Sequence, residues 1–208
     1  MATKRVLLVI CSLIGLFLIF FGCRKPCTKN HYDFNGTSVF SPEKDGINIG
    51  DTIWFNSIIS IKNLDTKSNQ IIDYSGASNV STQINFNTAN STDPTIGSID
   101  SFKFIKGKGE ISINTNFPQA SMAVTYVEEK DNYLLSFGII AIKKGVYVIT
   151  EVDLENSYKK CSDAYVTITL NNINKHQHYL DSTYYPNSPY GNTIPLIVQT
   201  HSYCFKVY

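Results

Sequence analysis

Residues 133–152, YLLSFGIIAIKKGVYVITEV, decide the fold class. The stretch 134–142 is a nearly continuous apolar run with isoleucines at 139, 140 and 142, the pattern of a central strand buried on both faces. Lys143, Lys144 and Gly145 then offer a polar tip with a residue that tolerates positive φ, and 146–149 resumes a β-rich run, so the pair reads as a hairpin. A second hairpin is read just upstream, with 125–127 and 133–136 flanking the polar tip 128–132.

Outward from this core the same punctuation recurs. Short apolar or alternating runs at 52–61, 71–74, 80–86, 99–105, 111–113, 122–127, 165–170, 196–200 and 203–208 are separated by Gly, Asn, Asp or Pro. Alternation is explicit at 101–104, 165–170 and 205–208, where successive side chains fall on opposite faces. No segment carries a capped helical repeat, apart from a turn around 154–159. So many short strands imply an all-β sandwich or barrel, and without internal repeats or linkers past residue 35 the region 36–208 reads as one domain.

Composition removes the simplest functional classes. The chain of 208 residues has 18 basic and 17 acidic side chains and a formal charge of +1, which excludes a nucleic-acid partner argued from bulk electrostatics, and acidic disorder as well. Charged residues are 17%, while 13 Tyr and 12 Phe supply a β-rich aromatic core.

The first 23 residues read as an address. Lys4 and Arg5 precede an apolar run of 16 residues, 6–21, followed by Gly22 and Cys23. Crossing a hydrocarbon core takes about 17 residues or more, so a retained membrane helix is the second reading and an ordinary cleaved signal the third. Gly22–Cys23 at the end of the run resembles a bacterial lipobox, although Phe20 and Phe21 depart from its usual residues. The resemblance implies that 1–22 is a lipoprotein signal peptide, that Cys23 is lipidated, and that 23–35 is a tether to the sandwich. Multiple acyl chains would give durable membrane anchoring. Loss of Lys4 and Arg5 would take the formal charge from +1 to −1.

With Cys11 in the leader and Cys23 acylated, Cys27, Cys161 and Cys204 remain in an oxidising compartment. Cys27 falls in the tether, so the favoured disulfide is Cys161 with Cys204, leaving Cys27 free or paired elsewhere. Spacing alone does not determine the connectivity.

The stretch Ile47-Asn48-Ile49-Gly50-Asp51-Thr52-Ile53-Trp54-Phe55 resembles the opening strand of Ig-like domains in secreted Bacteroidota proteins. Together with Cys23, Lys144-Gly145-Val146-Tyr147 and the ending Tyr203-Cys204-Phe205-Lys206-Val207-Tyr208, the chain looks like an uncharacterised family of Bacteroidota lipoproteins. This resemblance implies an Ig-like antiparallel β-sandwich and an envelope location, and it carries no activity. Surface-displayed lipoproteins of that phylum typically carry acidic residues after the lipidated cysteine. Arg24, Lys25 and Pro26 stand there instead, which favours the periplasmic face of the outer membrane.

The candidate sites are few. Tyr184, Tyr185 and Tyr190, held among Pro and Gly in the loop 181–195, offer stiff amphipathic contact area for a protein or glycan. His176 and His178 would share a face in an extended segment, and with His201 they form a candidate zinc set. Lys106-Gly107-Lys108-Gly109 is either an anion nest or a basic turn, the turn being the favoured reading. Asp51-Thr52-Ile53 and Asp181-Ser182-Thr183 resemble a phylum-specific O-glycosylation tripeptide. No G-x-S-x-G, H-E-x-x-H, P-loop or Rossmann fingerprint is present, and Glu128 and Glu129 would point to opposite faces of a strand. The leading expectation is a non-enzymatic, lipid-anchored binding module with no cofactor, its partners the membrane and an envelope protein or glycan. The alternatives are an envelope hydrolase with a metal at His176, His178 and His201, and a structural envelope subunit.

Overall fold

The computed structural model of the protein describes residues 30–89, 98–113, 121–158, 161–180 and 200–208. Its strands in chain order are β1 (Asn30–Ser41), β2 (Gly46–Ile47), β3 (Thr52–Ser60), β4 (Lys62–Asp65), β5 (Gln70–Asp73), β6 (Ser81–Thr88), β7 (Phe102–Lys106), β8 (Glu110–Ile113), β9 (Ser121–Thr125), β10 (Val127–Glu129), β11 (Asn132–Ala141), β12 (Gly145–Glu151), β13 (Leu154–Ser157), β14 (Ser162–Leu170) and β15 (Ser202–Val207).

Seven strands form one sheet, in the order β10-β11-β3-β1-β14-β13 with β7 also on β11. A six-stranded sheet runs β2-β15-β12-β6-β9-β8, and β4 and β5 make a separate ribbon. Their inner faces share one core of buried residues. Ring contacts stitch the layers together: Phe40 of β1 stacks on Tyr203 of β15 at 4.6 Å, and Phe102 of β7 meets Tyr147 of β12 at 4.7 Å. The all-β sandwich expected from the sequence is therefore present. Its pairing is antiparallel except for β1 with β14 and β2 with β15, which run parallel.

Four local expectations are corrected. First, 133–152 is not a hairpin: β11 pairs β3, β7 and β10 in one sheet, whereas β12 pairs β6 and β15 in the other. The link crosses between layers so that Phe137 and Ile139 meet Tyr147 and Ile149 across one core, while Val146 and Val148 bury on the far face against Tyr179 and Leu180. The Tyr147 hydroxyl donates to the Lys143 and Lys144 carbonyls and holds the crossing in place. The upstream hairpin does form, tighter than expected, because Glu128 and Glu129 lie within β10 and the turn is made at Lys130, with φ of 55°.

Second, residues 30–35 are strand rather than tether, since β1 pairs with β14 from Asn30 onward. Third, Leu154–Ser157 is a strand pairing with β14, where the sequence suggested a turn. Fourth, Cys204 carries a free thiol, so the Cys161–Cys204 bridge does not form. Its sulfur lies with Val146, Val148, Tyr179 and Leu180 in the satellite core outside the six-stranded sheet, and burial pushes the thiol pKa up. Cys161 sits in the turn before β14.

Candidate functional site

The structure separates the three candidate histidines. Asp45 Oδ1, at the entry to β2, stands 3.2 Å from His176 Nδ1 and 3.3 Å from His178 Nε2, while the Tyr179 hydroxyl donates to Asp45 Oδ2 at 3.2 Å. His201 stands instead beside Asp153, with Nε2 3.2 Å from Oδ1. Among the described residues no group of three His, Cys, Asp or Glu side chains is arranged to hold a metal ion. The set His176, His178 and His201 is thus not assembled, because separate carboxylates hold its members. His176 is buried against the edge of Tyr203, and burial lowers its pKa.

The Asp45 cluster has a mechanical role. The Lys206 amide donates to the Asp45 carbonyl and the Tyr208 amide to the Ile47 carbonyl, so the cluster pins the short β2 to β15. Asp45→Ala is expected to cost about 1 kcal/mol, as its carboxylate is half exposed. Hydrogen exchange should show faster exchange at the Lys206 and Tyr208 amides with β12 protection unchanged. Equal loss in β12 would mean that the cluster supports the whole sheet rather than its edge.

Asp153 is similarly structural. Its Oδ1 accepts the Ile168 amide at 2.9 Å and its Oδ2 the Tyr165 hydroxyl at 2.8 Å. The Thr200 hydroxyl reaches His201 Nδ1, giving a hydroxyl, an imidazole and a carboxylate in a row. Asp153 nevertheless spends both oxygens on β14, as a bracket between strands does.

Lys106-Gly107-Lys108-Gly109 is the basic turn rather than an anion nest. The Gly107 amide donates to the Ser136 carbonyl and the Lys108 amide to Ser136 Oγ, so these donors are already used. Lys106 pairs with Glu110 and Lys108 with Glu129. Glycine is required at 107 by close approach: a Cβ there would lie 2.6 Å from the Ser136 carbonyl oxygen.

One of the buried carboxylates lies between the two large sheets. Glu151 of β12 accepts the Tyr126 hydroxyl at 2.8 Å, and that hydroxyl lies 2.7 Å from Ser57 Oγ of β3. This chain of polar groups crosses from one sheet to the other. Burial raises the Glu151 pKa to about 7, while Tyr126 and Ser38 pull it partly back. The group is 4% exposed and has no access to a substrate.

Among the described residues, the outer face of the seven-stranded sheet carries a group of exposed apolar side chains. Trp54 and Ile58 project outward from β3 with exposures of 37% and 47%, and Val39, Ile105 and Val127 accompany them from β1, β7 and β10. Register makes the patch continuous. Trp54 lies opposite Gly138, which lies opposite Ile105; Ile58 lies opposite Leu134, which lies opposite Val127. A cavity of about 110 Å³, lined in part by Asn56, Ile58, Leu134 and Lys108, opens beside it. A sheet face turned to water normally alternates to polar residues, and contiguous exposed apolar area marks contact sites. The signal was present in the sequence as Trp54 and Ile58 at even spacing from each other in a strand whose odd positions, Ile53, Phe55 and Ile59, fill the core.

Cys23, Tyr184, Tyr185 and Tyr190 lie outside the described residues, as do Cys27 and Asp181-Ser182-Thr183. No protein-family model matches the chain, and no curated protein matches it. Solved structures similar to it include the human F-spondin reeler domain, at 8% identity and a TM-score of 0.36 over 70% of this chain and 93% of that one. A cohesin module from a Clostridium perfringens family 33 glycoside hydrolase gives 12% identity and a TM-score of 0.33, covering 66% of this chain and 99% of that one. The type II cohesin dyad of the Acetivibrio cellulolyticus adaptor ScaA scaffoldin gives 10% and 0.34, covering 67% and 47%. At these scores the likenesses carry no argument about function, and the sandwich assignment rests on the strand pairings of this chain.

Proposed function

We propose that the protein is a lipid-anchored envelope protein whose sandwich is a non-enzymatic binding module, docking a protein partner on the outer face of the seven-stranded sheet. The observation that carries this reading is the continuous apolar patch of Trp54, Ile58, Val39, Ile105 and Val127 on paired strands. Tryptophan is enriched among residues that dominate binding energy, and Asn56, Ser136 and Lys108 beside Ile58 and Leu134 supply polar groups at the margin of the apolar patch, as in protein interfaces. Anchoring is supported by the leader 1–22 and by Cys23, and the periplasmic face of the outer membrane by Arg24, Lys25 and Pro26. Tyr184, Tyr185 and Tyr190 are proposed as additional contacts.

A photo-crosslinking residue at Asn56 in the full chain, expressed in its own cells, is expected to yield one discrete protein adduct. A probe at Ser112, on the exposed side of β8 in the other sheet, should yield none. Trp54→Ala should weaken partner binding about 30-fold, corresponding to about 2 kcal/mol. Cys23→Ser should move the protein from the membrane to the soluble fraction and abolish palmitate labelling. Identical adducts from Asn56 and Ser112 would remove the docking face, and labelling that survives Cys23→Ser would remove the anchor.

A further inference from the structure

We infer that Glu151 is a proton switch for the docking face: the charge on this buried carboxyl sets how the strands that carry Val39, Ile58 and Val127 are held. The inference rests on the reading of that face as the docking surface. Its basis is adjacency. Between the sheets Glu151 of β12 faces Ser38 of β1, Ser57 of β3 and Tyr126, which joins β9 to β10. Ser38 and Ser57 lie opposite each other in register. Each of the three is followed in the chain by an exposed residue of the patch, Val39, Ile58 and Val127 respectively. Successive side chains of a strand point to opposite faces, so the groups that hold the carboxyl inside share their backbone with the apolar side chains outside.

The line of polar groups has two settings. With Glu151 protonated, its carboxyl donates to the Tyr126 hydroxyl 2.8 Å away, that hydroxyl donates to Ser57 Oγ at 2.7 Å, and Ser57 donates to the Thr37 carbonyl at 3.3 Å. Every link is then used, and β12, β3 and β1 are tied in one line. A carboxylate only accepts, so ionisation reverses the line. The Tyr126 hydroxyl turns to Glu151 Oε1, Ser57 turns to Tyr126, and the Thr37 carbonyl loses the Ser57 donor. Thr37 lies opposite Ile58, so the released link adjoins the patch. Glu151 Oε2, buried without a hydrogen-bond partner, then shares an unbalanced charge. The surrounding groups oppose that charge or leave it alone. Asp153 is itself a carboxylate, held by His201, Tyr165 and the Ile168 amide, and Ile84 of β6 stands opposite Glu151. Burial keeps the Tyr126 phenol protonated, with Tyr74 adding to the effect, so Glu151 is the member of the line that changes charge. A partner that binds the two settings unequally is thereby linked to protonation.

Trp54 is the only tryptophan of the chain and lies on this face, so its fluorescence reads the patch without a partner. The full-length protein in detergent is titrated from about pH 5 to about pH 9, with circular dichroism recording that the fold persists. Trp54 emission is expected to shift in one step centred near pH 7 in the wild type and to keep its acid-form value throughout in Glu151→Gln. Tyr126→Phe and Ser57→Ala should each flatten the step, while their urea midpoints still fall as pH rises, since Glu151 goes on titrating. If one of these variants does not fold, the other decides. Wild-type emission that is flat across the range would overturn the switch. So would a step that survives in Glu151→Gln, which would belong to a histidine such as His201, or one that survives in Tyr126→Phe or Ser57→Ala. Failure here is distinct from failure of the docking face: flat emission leaves the Asn56 adduct in place, and a missing adduct leaves the emission step in place.

Discussion

Replacing Phe55 with alanine is expected to destabilise the fold by about 3–5 kcal/mol. The ring is fully buried in the middle of β3, with Phe40 of β1 and Phe137 of β11 each 5.1 Å away. It therefore joins three strands of one sheet, and Phe40 carries the contact on to Tyr203 of the other. Truncation removes apolar contact from both flanking rings and leaves a cavity that the rigid sheet cannot close. Urea unfolding followed by far-ultraviolet circular dichroism gives the difference directly. A loss below about 1 kcal/mol would mean that the rings do not pack as described.

The second large effect depends on pH. The folded-state pKa of Glu151, about 7, lies above its ordinary value of 4.5, because burial disfavours the charged form. Its contribution to stability is therefore fully present below pH 4.5 and is lost as pH rises through about 7. The loss is about 3 kcal/mol, taking about 1.4 kcal/mol for each pH unit. Glu151→Gln keeps an acceptor for the Tyr126 hydroxyl and cannot ionise. Relative to the wild type, this variant should be more stable by about that amount at pH 8 and should show no gain at pH 4. Urea midpoints at the two pH values measure it. A wild-type-minus-variant difference that stays constant from pH 4 to pH 8 would show that Glu151 does not titrate within the fold.

Legibility in the sequence followed the strength of local alternation. In β3 and β14 every second side chain fills the core, and both were readable. In β1 the inward positions are Phe34, Gly36, Ser38 and Phe40, too weak a stripe to distinguish from a polar tether. Gly36 is small because of its neighbours: a Cβ there would lie 2.6 Å from Ile168 Cδ1 of β14 and 2.9 Å from Ile59 Cγ1 of β3. Nothing adjacent in the chain reveals that pressure. The polar interior followed the same rule, since Glu151, Tyr126 and Ser57 are far apart in sequence and meet only across the two layers.

By itself the sequence determined the fold class, most strand positions and the polar turn at 106–109, because those depend on the period of side chains along a strand and on turn chemistry within a few residues. Tertiary structure decided that 134–142 and 146–149 belong to different sheets, that His176 and His178 close on Asp45 while His201 turns to Asp153, that Cys204 remains a thiol, and that Trp54 and Ile58 belong to a continuous outer patch. Each of these depends on which distant strand lies alongside, a choice settled by burying the rings of both sheets in one core.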